Sequence, residues 1–209
     1  MTGLRDRLNH TLAAAFGLML ATCGGSLAQG VASPDADASV PVDGAAALAQ
    51  GAPGLDRLFA DLARPANPGW RRIERQILTE LSRSGSAAMD LLLLRGREAI
   101  TAEDLPAALD HLTALTDHAP EFAEGWNARA IALFRSGRPG QAMADLERAL
   151  ALEPRHFGAL AGVGSVLEDA GSLDAALDAY EAALAIHPNL ERVREATARL
   201  RNRMLGKEI

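Results

Sequence analysis

The chain has 209 residues, room for one domain with extensions. Its formal net charge of −6 leaves no electrostatic footprint for nucleic acid. Aromatic residues make up only 4% of a chain that is 48% hydrophobic, so the core must be built from Leu, Ala and Val, which suits packed helices better than aromatic-rich strands.

Residues 1–28 carry the features of an export signal. Arg5 and Arg7 give a positive start, Thr11 to Ala21 is an apolar run too short for a comfortable membrane span, and Ser26-Leu27-Ala28 offers small residues for cleavage. Export of this bacterial type would place the mature chain in the periplasm. Leu20-Ala21-Thr22-Cys23 also resembles a lipoprotein cleavage box, with an atypical threonine before the cysteine, so acylation at Cys23 is the alternative to cleavage after Ala28; a retained membrane anchor is the third. Any membrane contact would run through this segment, and no cysteine follows Cys23 to form a disulfide.

Residues 29–54 are rich in Ala, Gly, Pro and Asp, without an aromatic residue or a sustained apolar period, and are expected to be a disordered linker. From 55 to 84 a helical pattern returns. Leu55, Leu58, Phe59 and Leu62 are spaced by three and four, residues 65–69 break the pattern, and Ile73, Ile77, Leu78 and Leu81 resume it with Arg71, Arg72, Glu74, Arg75 and Glu80 opposite. A helical pair is expected here, serving as a cap over the first repeat described next or as a divergent copy of it.

Three copies follow, over 89–122, 123–156 and 157–190. Pro120, Pro154 and Pro188 are 34 residues apart; so are Gly96, Ala130 and Gly164, then Ala108, Ala142 and Ala176. Leu92, Trp126 and Leu160 keep the interval, as do Leu112, Leu146 and Tyr180. Each copy is expected to be two short helices, with helix breakers at Gly137-Arg138-Pro139 in the second and Gly171-Ser172 in the third. The small residues mark places where helices approach closely. One such pair cannot bury its own apolar face, so copies must stack. Arg95, Ala99 and Arg129 stand where large apolar residues are expected. Beyond Pro188, Leu190, Val193, Ala196, Leu200 and Met204 form a stripe on a helix rich in Arg and Glu, and 191–209 is expected to be a capping helix.

A 34-residue period with this residue order resembles the tetratricopeptide repeat (TPR) family, and the third copy matches its pattern best. The resemblance implies an all-α fold: a right-handed α-solenoid of about three TPR helix-turn-helix units, with an N-terminal helical pair and a C-terminal capping helix. It further implies a concave groove, lined by the first helix of each unit, that receives a protein or peptide partner. Carried over by helical phase, the lining is Asp90, Leu93, Arg97 and Thr101; then Glu124, Asn127, Ile131, Phe134 and Arg135; then Gly158, Ala161, Ser165, Glu168 and Asp169. Chaperone-binding relatives grip a C-terminal carboxylate with Lys, Asn and Arg; Leu93, Ala128, Gly158 and Gly162 occupy four of those places, which does not support that activity here.

No nucleophile elbow, phosphate-cradling loop or paired-carboxylate motif appears, and Gly162-Val163-Gly164 lies inside a helical repeat rather than after a strand. His111 and His118 share no ligand set with an acidic residue, while His156 and His187 sit beside the unit-ending prolines as turn residues. No cofactor, metal or catalytic residue is expected. The reading is a non-enzymatic interaction scaffold of the cell envelope, alternatively one anchored by lipid at Cys23.

Overall fold

The structure, a computed structural model, describes residues 53–65 and 67–206. The expected export signal, Cys23 and all but the last two residues of the expected linker lie outside the described residues. Pro53 and Gly54 already belong to the first helix.

Among the described residues there are nine helices and no strand. A leading hairpin comprises α1 (Pro53–Leu62) and α2 (Trp70–Leu81). Three helical pairs follow: α3 (Ala87–Thr101) with α4 (Leu105–His118), α5 (Ala123–Arg135) with α6 (Pro139–Leu152), and α7 (Phe157–Asp169) with α8 (Leu173–Ile186). The last is α9 (Glu191–Leu205).

The turn inside each unit is the same turn three times. Glu103, Gly137 and Gly171, at 34-residue intervals, have φ of 62, 72 and 77°, the left-handed conformation that ends a helix. Just after each, a backbone N–H reaches five residues back, from Asp104 to Ala99, Arg138 to Leu133 and Ser172 to Leu167. Glycine adopts this conformation freely; in the first unit a glutamate bears its cost of roughly 1–2 kcal/mol.

Except across the α2–α3 connection, each helix packs on its neighbours in the chain, and the first helices α3, α5 and α7 also touch one another in series. The second helices make no comparable contact, so the stack curves with the first helices inside. Between the units the core is aliphatic. Leu93, Leu112 and Leu115 close on Ala128 and Ala132, and Leu146 and Ala149 close on Ala159 and Val166. Each fully buried leucine contributes about 1.5–3 kcal/mol.

The recurring small residues act differently from the expectation. A Cβ at Gly96 would lie 2.5 Å from Leu112 Cγ, and one at Gly164 would lie 2.4 Å from the Tyr180 ring. The missing side chain makes room for a large residue of the unit's second helix, rather than letting two backbones touch. At the far end, α9 seals the third unit with Val193, Ala196 and Leu200. At the near end, Leu91 is 44% exposed and Leu94 52%, although their counterparts Gly125, Ala159 and Ala128 are buried by a preceding unit.

Candidate functional site: the inner face

The helical pair expected to cover the first unit packs elsewhere. Phe59 and Leu62 of α1 and Ile73 and Ile77 of α2 form one buried cluster with Phe157, flanked by Ile186 and Leu190. These partners belong to the start of the third unit and its junction with α9. Trp70 stands edge-on to His187, 5.4 Å between ring centroids, and Phe157 meets the same imidazole from another side at 5.1 Å. Arg155 donates to Asp56 at 2.6 Å with its guanidinium 4.4 Å above the Phe59 ring. The last residues of the hairpin meet the first unit instead: Arg97 donates to Ser82 Oγ at 3.0 Å, and Asp90 accepts from the Ser84 N–H and hydroxyl at 2.8 and 2.6 Å.

So α2 begins at the third unit and ends at the first. Twelve helical residues extend about 18 Å, which matches two interhelix spacings of 8–10 Å. The helix therefore bridges the junction at the third unit to the first unit. The reason is in its pattern: Trp70, Ile73 and Ile77 form one apolar stripe, and Phe157, Ile186 and Leu190 offer an apolar seat at the far units.

A buried polar cluster occupies groove positions of the second unit. Glu124 is only 4% exposed and Asn127 6%, and Arg97 reaches Glu124 from α3. His156 Nδ1 accepts the Ala159 N–H at 3.1 Å, capping α7, so its proton sits on Nε2 and is donated to Glu124 at 2.6 Å. Burial pushes the Glu124 carboxyl upward, but the hydrogen bond from His156 and the Arg97 charge outweigh it and hold the group below its ordinary range. His156, expected to be a turn residue only, ties the second unit to the third.

The expected lining divides accordingly. Leu93 is 2% exposed and belongs to the core between the first two units, which corrects its place in the groove. Asp90, Arg97, Glu124 and Asn127 are engaged with one another or with the hairpin. Arg135 bonds Ile100 O at 2.8 Å and Glu103 at 3.1 Å, and Thr101 bonds Arg97 O. Ile131 stays 44% exposed. Gly158 lies half-buried against His156, and Ala161 packs into the third unit's core.

Phe134, Ser165, Glu168 and Asp169 come together along an open cleft of about 870 Å³. Its other wall is α9, with Arg192, Arg199 and Arg203. Tyr180 donates to Glu168 at 2.9 Å, and Arg199 pairs with the same carboxylate at 3.3 Å. Burial and the Glu168 carboxylate push the Tyr180 hydroxyl upward, so it stays a donor. Sequence alone does not place these arginines, because a capping helix has no phase relation to the groove. Among the described residues no three His, Cys, Asp or Glu side chains converge, and no helix is long and apolar enough to cross a membrane.

A tetratricopeptide repeat family model matches residues 93–146 and again 128–191. A TPR repeat-containing protein of Rhizobium etli is 37% identical over 153 residues, spanning 73% of this chain and 75% of the relative. The chain belongs to the tetratricopeptide repeat family. Among solved structures the same TPR fold appears in the first TPR of Spaghetti (RPAP3) bound to an HSP90 peptide, with a TM-score of 0.55 and 22% identity over 57% of this chain and 95% of that one. It appears again in the TPR2B domain of yeast Sti1 in complex with an Hsp70 peptide, with a TM-score of 0.53 and 22% identity over 56% of this chain and 99% of that one.

Proposed function

We propose that this TPR protein is a non-enzymatic interaction scaffold of the bacterial cell envelope, holding a segment of a partner protein on its inner face. The observation that carries the reading is the open cleft where Phe134, Ser165, Glu168 and Asp169 face Arg192, Arg199 and Arg203. It joins groove positions of two units to the cap, carries both signs of charge, and has the aromatic Phe134 as an anchor. Preformed helices lower the ordering cost of binding there. TPR domains of the same fold that hold peptides support it.

The envelope location rests on Arg5, Arg7, the apolar run Thr11 to Ala21 and the small residues Ser26 to Ala28. The box Leu20 to Cys23 favours a second reading, a lipid-anchored assembly scaffold. Intact mass of the exported protein separates them: a free N-terminus at Gln29 supports the first, an acylated Cys23 the second.

The binding reading is tested by affinity capture from a periplasmic extract with the wild-type chain and with Arg192→Glu/Arg203→Glu. Both substitutions lie on exposed turns of α9, so helicity is retained while the retained partner is lost. Identical capture by both chains overturns the cleft as the site.

A further inference from the structure

We propose that α2 is the resident ligand of this chain's own inner face, and that the covered half of the groove is shaped for an amphipathic helix rather than an extended peptide. A partner entering there presents an aromatic residue, isoleucine-like residues three and seven places on, and an acidic residue at the fourth. It enters only when the α1–α2 hairpin leaves. The proposal rests on the reading of the inner face as the partner site and names the partner's form.

The pattern is read from α2 itself. Trp70 meets His187, Ile73 and Ile77 pack with Phe157, and Glu74 Oε1 lies 3.2 Å from His187 Nε2. On the opposite side Arg71, Arg72, Arg75 and Gln76 are exposed. One stripe docks while the other is solvated, which is how a separate helix sits in a groove. Real repeats behave otherwise: each of their second helices packs on the first helix of the next unit, whereas α2 makes no comparable contact with α3, its neighbour in the chain.

The connection has the form of a hinge. Residues 82–86 read Ser-Arg-Ser-Gly-Ser, Gly85 has φ of 83°, and nothing stands within 4 Å of where its Cβ would be. Two polar contacts latch it, Arg97 on Ser82 and Asp90 on Ser84. Because α2 is tethered, it competes with any free helix at an effective concentration of about a millimolar.

The test uses a fluorescein-labelled peptide of residues 69–84 and the full chain. The hairpin is released by Ile73→Asp/Ile77→Asp, positions outside the three-unit stack, with circular dichroism and melting reporting that the stack persists. The released chain is expected to bind the peptide at least about tenfold more tightly than the wild type, and a peptide bearing the same two aspartates is expected not to bind. Equal affinity for both chains, or binding to neither, overturns the proposal. If the aspartate pair disturbs folding, Ser82→Ala/Ser84→Ala decides, since it opens only the latch: a gain in peptide affinity supports the proposal and none overturns it. No natural partner is needed, so these results judge α2 alone, while the Arg192/Arg203 capture judges the partner reading.

Discussion

Arg129 grips Asp145 through two parallel hydrogen bonds, from Nε to Oδ2 at 2.7 Å and from Nη2 to Oδ1 at 2.8 Å. Its remaining nitrogen donates to Thr116 of the preceding unit at 2.7 Å, and its guanidinium lies 4.7 Å from the Trp126 ring centroid. An arginine in an apolar position of the repeat is thus a half-buried strut between two units. The hydrogen bonds it donates to Asp145 raise its already high pKa, so it is always charged. Arg129→Ala strands a carboxylate that is only 5% exposed and is expected to cost about 3–5 kcal/mol in urea unfolding. Removing both partners with Arg129→Ala/Asp145→Ala is expected to cost less than the two single changes together.

The Gly164–Tyr180 contact gives a second expectation. A Cβ at Gly164 would sit 2.4 Å from the ring, so Gly164→Ala should lose about 1–3 kcal/mol despite alanine's better helix propensity. Adding Tyr180→Leu reproduces the Ala130 and Leu146 pair that the second unit uses, and should recover most of the loss. Thermal melting of the three chains checks both statements.

A third expectation concerns acidity and the hairpin. His187 is fully buried between Trp70 and Phe157, and burial, against the opposing pull of Glu74, holds its pKa below the ordinary 6.5. The unfolded chain takes up a proton near 6.5 that the folded chain resists, so stability is complete above that pH and declines as pH falls below it. Hydrogen exchange of α1 and α2 should therefore quicken as pH falls below 6.5, with His187→Phe flattening the response.

Glu124 titrates in a lower window. Its carboxyl is held below 4.5, so its contribution is present above that pH and is lost as pH falls through the depressed folded value. Glu124→Gln should remove this acid step while weakening the link between His156 and Arg97, measured as a lower urea midpoint at neutral pH.

The repeats were legible because stacking forces the same residue types to the same places: Gly96, Ala130 and Gly164 had to be small wherever a Leu112, Leu146 or Tyr180 came down on them. The hairpin's helices were legible for the same kind of reason, since Leu58, Leu62, Ile73 and Ile77 repeat at helical spacing. Its address was not. An apolar stripe records that a face is covered and says nothing of what covers it; the seat at Phe157 and Leu190 lies about a hundred residues down the chain from α1. Likewise, His156 reads as a turn residue by position, and only the fold brings Glu124 within 2.6 Å of it. Helical phase placed Leu93 in the groove because it counts direction from one axis, while the neighbouring helix α5 closes over that direction with Ala128 and Ala132.

The two ends of the stack are unlike. Val193, Ala196 and Leu200 shut the third unit, whereas Leu91 and Leu94 stay about half exposed. In a row held only by nearest neighbours, fraying starts where a bond is missing. The first unit is therefore the one expected to loosen soonest, and because Arg97 and Asp90 stand on it, its loosening would tug at Ser82 and Ser84 before the other units give way.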